Sequence, residues 1–408
     1  MTDKENKIFK CIIIALITIL VVELLYFGIK VYTTRKNNVF NTFVNSAILE
    51  DSKNYIGAGL SDFRYSKINK FDKGYDKATI FVVKNGKTKK EIAFQKGFNS
   101  RFNDIVKVSD GYVAVGKIEM TKDQIKEKMN EGLIVKYNKD FKVVWRKNVS
   151  ILENTELLKV KTDGDDIVVV GGSIYSEGYV GNHSTGGGIL LKYDKSGKEL
   201  LRVNYGGPYK GKFNDLIVEK DSYVVVGLGK SNSGIIISYD KSGKKKWSGS
   251  YGYTDSNGIN SVVKKGDNYI TATTKVVNTK DLSNYSAALV VFNSKGEKID
   301  DAKYSDNKIN YFSDIEVDKD GNIYACGYTG KVIGNDSLTD AIIVKYDKDL
   351  YEKKSDVLKG SKKEVYSNIY INNDTIYALG YTNSKIKKYN TNGYDFFPII
   401  KKYNMNLK

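Results

Sequence analysis

Asp318-Lys319-Asp320-Gly321-Asn322-Ile323-Tyr324-Ala325-Cys326-Gly327-Tyr328-Thr329, followed by Asp340-Ala341-Ile342-Ile343-Val344-Lys345-Tyr346-Asp347, decides the fold of this chain. The first stretch sets a polar turn before a short apolar strand that closes on Gly, and the second is an apolar strand running into another turn. Working outward, the strand recurs at residues 55–59, 112–116, 167–171, 223–227, 269–273, 323–327 and 376–380, ending in Gly in every copy but the fifth, which ends in Thr273. Its last positions are spaced 57, 55, 56, 46, 54 and 53 residues apart. The second strand follows each copy, at residues 80–85, 133–138, 189–194, 235–240, 289–293, 342–347 and 399–404. Turns such as Lys195-Ser196-Gly197 then lead to a further strand, as in Val143-Val144-Trp145. Internal repetition at this period marks a repeat architecture of about four short strands per unit.

Such units cannot each bury both faces alone. Closing them radially buries the faces between neighbours and leaves only short edges. The expected fold is therefore all-β, a seven-bladed β-propeller with four-stranded blades. The residues quoted at the outset resemble the bacterial SBBP-type β-propeller repeat, whose pattern runs D-x-x-G-N-I-Y-V-x-G-Y-T, then D-A-F-V-x-K-Y-D-x-x-G, a Trp-bearing strand and an aromatic-Gly-Gly. Repeat 4 carries the later part as Tyr239-Asp240-Lys241-Ser242-Gly243 and Trp247, and repeat 3 ends in Tyr205-Gly206-Gly207. The resemblance covers most of residues 40–408. It implies a surface or secreted binding or scaffold module, with no shared catalytic motif.

Ahead of the repeats, residues 11–29 read CIIIALITILVVELLYFGI, nineteen residues with Glu23 as the one charge. At about 1.5 Å per residue this crosses a hydrocarbon core of about 30 Å. No small-x-small cleavage site follows, so the segment reads as an uncleaved transmembrane signal anchor. The expected organisation is a cytoplasmic tail at 1–10, the anchor at 11–29, a juxtamembrane linker at 30–36 and the propeller ectodomain at 37–408. Flanking charges are nearly balanced, and a ten-residue tail beside a large body points to tail inside and body outside. The implied location is the cell membrane of a bacterium, single-pass, with the C-terminal domain extracytoplasmic.

Composition excludes several functions. The 408 residues hold 1 His, 2 Cys and 2 Pro, too few for a His-rich metal site, a zinc module, a disulfide scaffold or Pro-rich linkers. His183 lies in a Gly/Ser run ill suited to holding a base. The net charge of +17 is carried almost wholly by Lys, with Arg only at 35, 64, 101, 146 and 202. That profile fits attraction to lipid headgroups or wall polymers, not base readout, so no nucleic-acid partner is expected. No cofactor, metal or catalytic residue is assigned.

Antiparallel succession places the connections between second and third strands on one side, face one, and the tight turns on the other, face two. On face one each inner strand begins with a polar pair before an apolar residue. Asn103, Asp104, Asn214, Asp215, Asn260, Ser313, Asp314 and Asn368 are thus candidate ligand-binding residues around a central mouth, suited to a cation or a polyhydroxyl ligand. The same residue types suit Asx and Ser turns to neighbouring backbone, which the sequence favours. Asp318-Lys319-Asp320-Gly321 and Asp163-Gly164-Asp165-Asp166 look like calcium-loop fragments, but they lack the later ligands and read as hairpin turns. Residues 122–128 read as a helical turn. Residues 31–40 are expected to supply the missing outer strand of the seventh blade. The function expected is a membrane-anchored extracytoplasmic module binding a protein, glycan or cell-wall polymer, and not an enzyme. The alternatives are a propeller-type hydrolase or other surface enzyme, and a purely structural assembly subunit.

Overall fold

The computed structural model describes residues 42–62, 76–94, 99–121, 128–150, 154–173, 187–206, 211–229, 233–254, 258–278, 281–304, 309–333, 336–383 and 397–408. Its twenty-seven strands form six antiparallel meanders of four strands and a last one of three. Hydrogen bonding groups them into six sheets, because the third and fourth meanders are joined where Gly172 meets Lys212 and Ser173 meets Gly211. We number the meanders as units 1 to 7. Their inner strands are Thr42–Leu49, Ser100–Val108, Thr155–Asp163, Gly211–Val218, Ile259–Lys265, Ile309–Val317 and Glu364–Asn372. Each inner strand contacts the next, and the seventh contacts the first.

The middle strands are apolar on both sides. Val113, Ala114 and Val115 are fully buried, as are Leu133, Ile134 and Val135 of the strand beside them. Unbroken apolar runs of this kind belong to strands covered on both faces, here by the units before and after. The core is accordingly divided into clusters between consecutive units. A further one, in which Val44, Ala47, Phe81 and Val83 meet Leu379, packs unit 7 against unit 1. The all-β expectation and the propeller architecture are thereby met.

The recurring Gly has a steric cause. Every inner strand is bulged at the same place, between Val44 and Ser46, Phe102 and Asp104, and so on to Tyr366 and Asn368. The irregularity drives an inner-strand carbonyl against the second strand. A Cβ on Gly116, Gly227 or Gly327 would overlap the carbonyl oxygen of Arg101, Lys212 or Tyr311. Unit 5 moves the Gly across the ladder. There Thr273 stands in the second strand and Gly258, at φ 77°, lies opposite, its carbonyl accepting the Thr273 hydroxyl at 2.9 Å.

In units 5 and 6 the segments between the second and third strands are largely strand themselves, since the ladders run out to Asn278↔Asp281 and Ile333↔Asp336. In unit 2 the ladder reaches Thr121↔Lys128, so Lys128 belongs to a strand, not to a helical turn, and residues 122–127 lie outside the described set. The membrane segment at 11–29, the linker at 30–36 and the closing stretch at 31–40 also lie outside it. Among the described residues no helix is long and apolar enough to cross a membrane.

Candidate functional site: the ring of inner strands

The bulge separates the two members of each polar pair. The bulged asparagine points sideways into the next unit, where its amide donates to a backbone carbonyl. Asn45 reaches Phe102 O at 2.7 Å, Asn103 reaches Leu157 O at 2.8 Å, Asn214 reaches Ile259 O at 2.8 Å and Asn260 reaches Phe312 O at 2.9 Å. Asn103 also donates to the Glu156 carboxylate at 2.6 Å, which pairs with Arg101 at the mouth. Asn260 accepts the Tyr311 hydroxyl at 2.9 Å. These amides staple consecutive units together. Ser313 holds the bulge position of unit 6, and Ser367 that of unit 7, where its hydroxyl donates to Leu379 O at 3.3 Å.

The residue after the bulge occupies one equivalent position in all seven strands: Ser46, Asp104, Lys159, Asp215, Ser261, Asp314 and Asn368. Asp104, Asp215 and Asp314 are buried, and each accepts a backbone N–H from the following unit: Val160 at 2.9 Å, Val262 at 3.0 Å and Ile369 at 3.1 Å. Asp215 and Asp314 also accept the N–H of their own next residue, Leu216 at 2.8 Å and Ile315 at 3.0 Å. Ser261 bridges the two, 2.6 Å from Asp314 and 3.1 Å from Asp215, and Ser46 donates to Asp104 at 2.5 Å. For unit 1 the acceptor is Tyr370, whose hydroxyl takes the Ala47 N–H at 3.1 Å. Carboxylates fixed by buried N–H groups are oriented and hard to remove.

Lys159 supplies the countercharge from unit 3. Burial works to lower its pKa, but Asp104, Asp215 and Asp314, with Tyr370, outweigh it and hold the ammonium well above its ordinary value. Burial raises Asp314, with Asp215 adding repulsion while Lys159 opposes it. Two residues further along the unit 6 strand, burial and then Asp314 push Glu316 up to about 7 against the pull of Lys161 and Lys159. Tyr370 is pushed up to about 12, chiefly by burial. The centre of the ring is therefore an ionic cluster drawn from units 2, 3, 4 and 6, with Glu316 able to gain or lose a proton near neutral pH.

Of the residues singled out in the sequence, Asp104, Asp215 and Asp314 come together around Lys159. Asn103, Asn214 and Asn260 are turned between units instead, and Asn368 takes the seventh ring position. Lys159 escaped notice because repeat 3 has Leu158-Lys159 where other repeats carry a polar pair, and Glu316 and Tyr370 stand two residues beyond the polar pairs of units 6 and 7. Counting back from Gly171 would have found Lys159.

Face two is built from capped turns. Asp318 accepts the N–H of Asp320 at 2.9 Å and of Asn322 at 2.8 Å, and Gly321 takes φ 82°. Asp194, Asp240, Asn293 and Asp347 cap their turns in the same way. Asp163 accepts Tyr223 at 2.7 Å, Lys192 at 2.9 Å and Lys241 at 3.1 Å, and despite partial burial these partners lower it to about 2. Both calcium-like fragments thus spend their carboxylates on turns and lysines. Among the described residues no group of His, Cys, Asp and Glu is arranged to hold a metal ion. His183 lies outside them.

No family model and no curated protein matches the chain. Solved structures similar to it include the β-propeller domain of the trilobed protease from Pyrococcus furiosus, 13% identical, covering 70% of this chain and 78% of that one at a TM-score of 0.39. A member of the DUF4221 family from Bacteroides vulgatus is 12% identical, covering 89% and 93% at 0.37. Puromycin hydrolase is 9% identical at 0.44, covering 82% of this chain and 49% of the hydrolase. The expectation that the chain is not an enzyme is corrected by these similarities. They include the propeller domain of a protease and a hydrolase.

Proposed function

We propose that the chain is a seven-bladed propeller of the SBBP type, tethered by residues 11–29 to a bacterial membrane and held outside the cell. It acts as an interaction module whose face one engages a protein, a glycan or a wall polymer. One observation supports this above others. The extended hairpins of units 2, 5 and 6 all rise on the side where the inner strands begin, which gathers them around the mouth. Between units 5 and 6 that side carries Tyr285, Tyr311 and Tyr328, with Tyr311 stacked on Tyr328 at 5.1 Å and the Tyr285 and Tyr328 hydroxyls 2.9 Å apart. Partly exposed tyrosines beside projecting hairpins suit recognition.

The test presents the full chain in nanodiscs to wall polysaccharides and to membrane-protein extracts from the source cell, alongside a hydrolase substrate panel. Saturable binding that is lost when the hairpin tips of units 5 and 6 are shortened supports the proposal. Turnover in the panel with no saturable binding overturns it. Protease added outside intact cells should digest the propeller, and full protection there would refute the orientation.

A further inference from the structure

The outer strands of units 1 to 6 carry a second bulge, as regular as the one in the inner strands. Close to the turn that joins third and outer strands, each ladder slips by a residue, at Val82/Val83, Lys136/Tyr137, Lys192/Tyr193, Ser238/Tyr239, Val291/Phe292 and Lys345/Tyr346. The residue left out of the ladder is Lys89, Val144, Leu200, Lys246, Ile299 and Lys353 in turn. A bulge re-aims a side chain by taking away its cross-strand partner, and all six are exposed. Outer strands start at face two, so these six stand around its rim.

Their chemistry is of two kinds. Val144, Leu200 and Ile299 are 55%, 48% and 52% exposed, and the other three are lysines. Val143 and Tyr351 stand beside the ring at 52% and 68%. Five of the six large hydrophobic side chains exposed among the described residues therefore belong to this rim, and the sixth, Leu338, lies on the face-one hairpin of unit 6. Single exposed apolar residues are ordinary, but their concentration at one level of the fold points to a partner. The adjoining turns add charge. Lys139, Lys142, Lys195, Lys198, Lys244 and Lys245 are exposed and make no ion pair among the described residues. Acidic turns, with Asp165, Asp267 and Asp320, join inner to second strands and so lie at the hub, inside the circle of lysines.

We propose that the rim of face two is a docking surface for an anionic lipid bilayer, with Val144, Leu200 and Ile299 entering the headgroup layer and the lysines meeting lipid phosphates. The arrangement selects this occupant. Apolar anchors distributed over separate units form no central hot spot for a protein partner, whereas a planar, fluid surface meets every point of a rim at once. Lysine suits a diffuse sheet of phosphates, while fork recognition of a single phosphate favours arginine. A soluble polyanion would satisfy the lysines but leave the apolar residues in water. The proposal goes beyond the binding role given to face one and rests neither on that role nor on the tether.

The experiment uses the full chain carrying Cys11→Ser, in nanodiscs of phosphatidylcholine alone or with added phosphatidylglycerol, the lipid bearing a headgroup quencher. A thiol-reactive fluorophore is placed at Leu200→Cys, Ile299→Cys or Leu338→Cys, and Cys326 is buried. In anionic discs both rim sites should be quenched several-fold more than the face-one site and more than in neutral discs, and added salt should erase the difference. Lys89→Gln with Lys246→Gln should lower the docking equilibrium about 25-fold, about fivefold for each lysine near the surface. Two rim sites in different units cover the case in which one variant misfolds. Equal quenching at all three sites, strongest quenching at Leu338→Cys, or no difference between neutral and anionic discs would overturn the proposal. So would a rim that binds polyglycerol phosphate in solution yet stays unquenched on anionic discs. Retention of the chain on neutral discs reads the tether, and the polysaccharide screen reads face one, so failure of either is distinct from failure here.

Discussion

Asp314→Ala is the sharpest probe of the central ring. Asp314 accepts the N–H groups of Ile315 and Ile369 and the Ser261 hydroxyl. Truncation orphans two buried donors at about 1–3 kcal/mol each, while Ser261 keeps its bond to Asp215. Against this, the variant no longer buries a carboxylate beside Asp215, a relief of about 1 kcal/mol for each pKa unit removed. The net loss should be about 2–4 kcal/mol. Asp314→Asn keeps one acceptor oxygen but presents an amide NH2 to the other donor, so its loss should be smaller, about 1–2 kcal/mol. Urea unfolding followed by the fluorescence of Trp145 and Trp247 measures both, with an unchanged denaturant slope as the check on a common transition. Equal costs for Ala and Asn, or an Ala cost under about 1 kcal/mol, would refute the assignment of Asp314 as an acceptor for two units.

Gly327→Ala drives a Cβ into the Tyr311 carbonyl and should cost about 2–4 kcal/mol, whereas Gly164→Ala, at φ 63° in open space, should cost about 1 kcal/mol. Comparable losses in urea unfolding would discount the close approach. Asn260→Ala removes the staple to Phe312 O and the acceptor for Tyr311 and should cost about 1–2 kcal/mol; an unchanged midpoint would mean the staple contributes nothing. Glu316 has its pKa raised from 4.5 to about 7, so the folded chain binds this proton more tightly than the unfolded one. Its stability contribution is complete below about pH 4.5 and is lost as pH rises through about 7, a loss of about 1–3 kcal/mol once partial solvent access is allowed for. Glu316→Gln should flatten that part of the pH profile. A wild-type and variant difference that does not change between pH 4.5 and 8 would contradict the raised pKa.

Much of the fold was legible because repetition is redundant. Seven copies of a strand ending in Gly, or in Thr at the unit 5 copy, survive local variation, and Thr273 was still recognised by its neighbours. The site was less legible because direction is set by the bulge. In a regular strand neighbouring side chains point to opposite faces, and one inserted residue reverses the assignment for everything beyond it. Asn103 and Asp104 therefore look like partners at one mouth, yet one is turned into the next unit and the other toward the axis. Nothing in their residue types records the inserted position. The long hairpins of units 5 and 6 were hidden for a different reason, since polar strands such as Asp336–Tyr346 begin with residues that equally suit a loop.

The ring also shows why its aspartates come at every second unit. A carboxylate has two oxygens, so one Asp can serve its own strand and the one after it. Asp215 serves units 4 and 5, and Asp314 serves units 6 and 7, with Ser261 between them too short to do either. Asp104 serves unit 3, where Lys159 carries no acceptor. Alternation by twos cannot close on an odd number of strands. The mismatch falls at the junction of units 7 and 1, where Asn368 does not continue the series and Tyr370, one layer further along, reaches across to Ala47 instead. Tyr370→Phe should therefore cost about 1–3 kcal/mol, because it orphans the Ala47 N–H. The loss should appear first as faster hydrogen exchange at Ala47, with exchange in units 4 and 5 unchanged. Uniform acceleration around the ring would show that the junction is not a separate weak point.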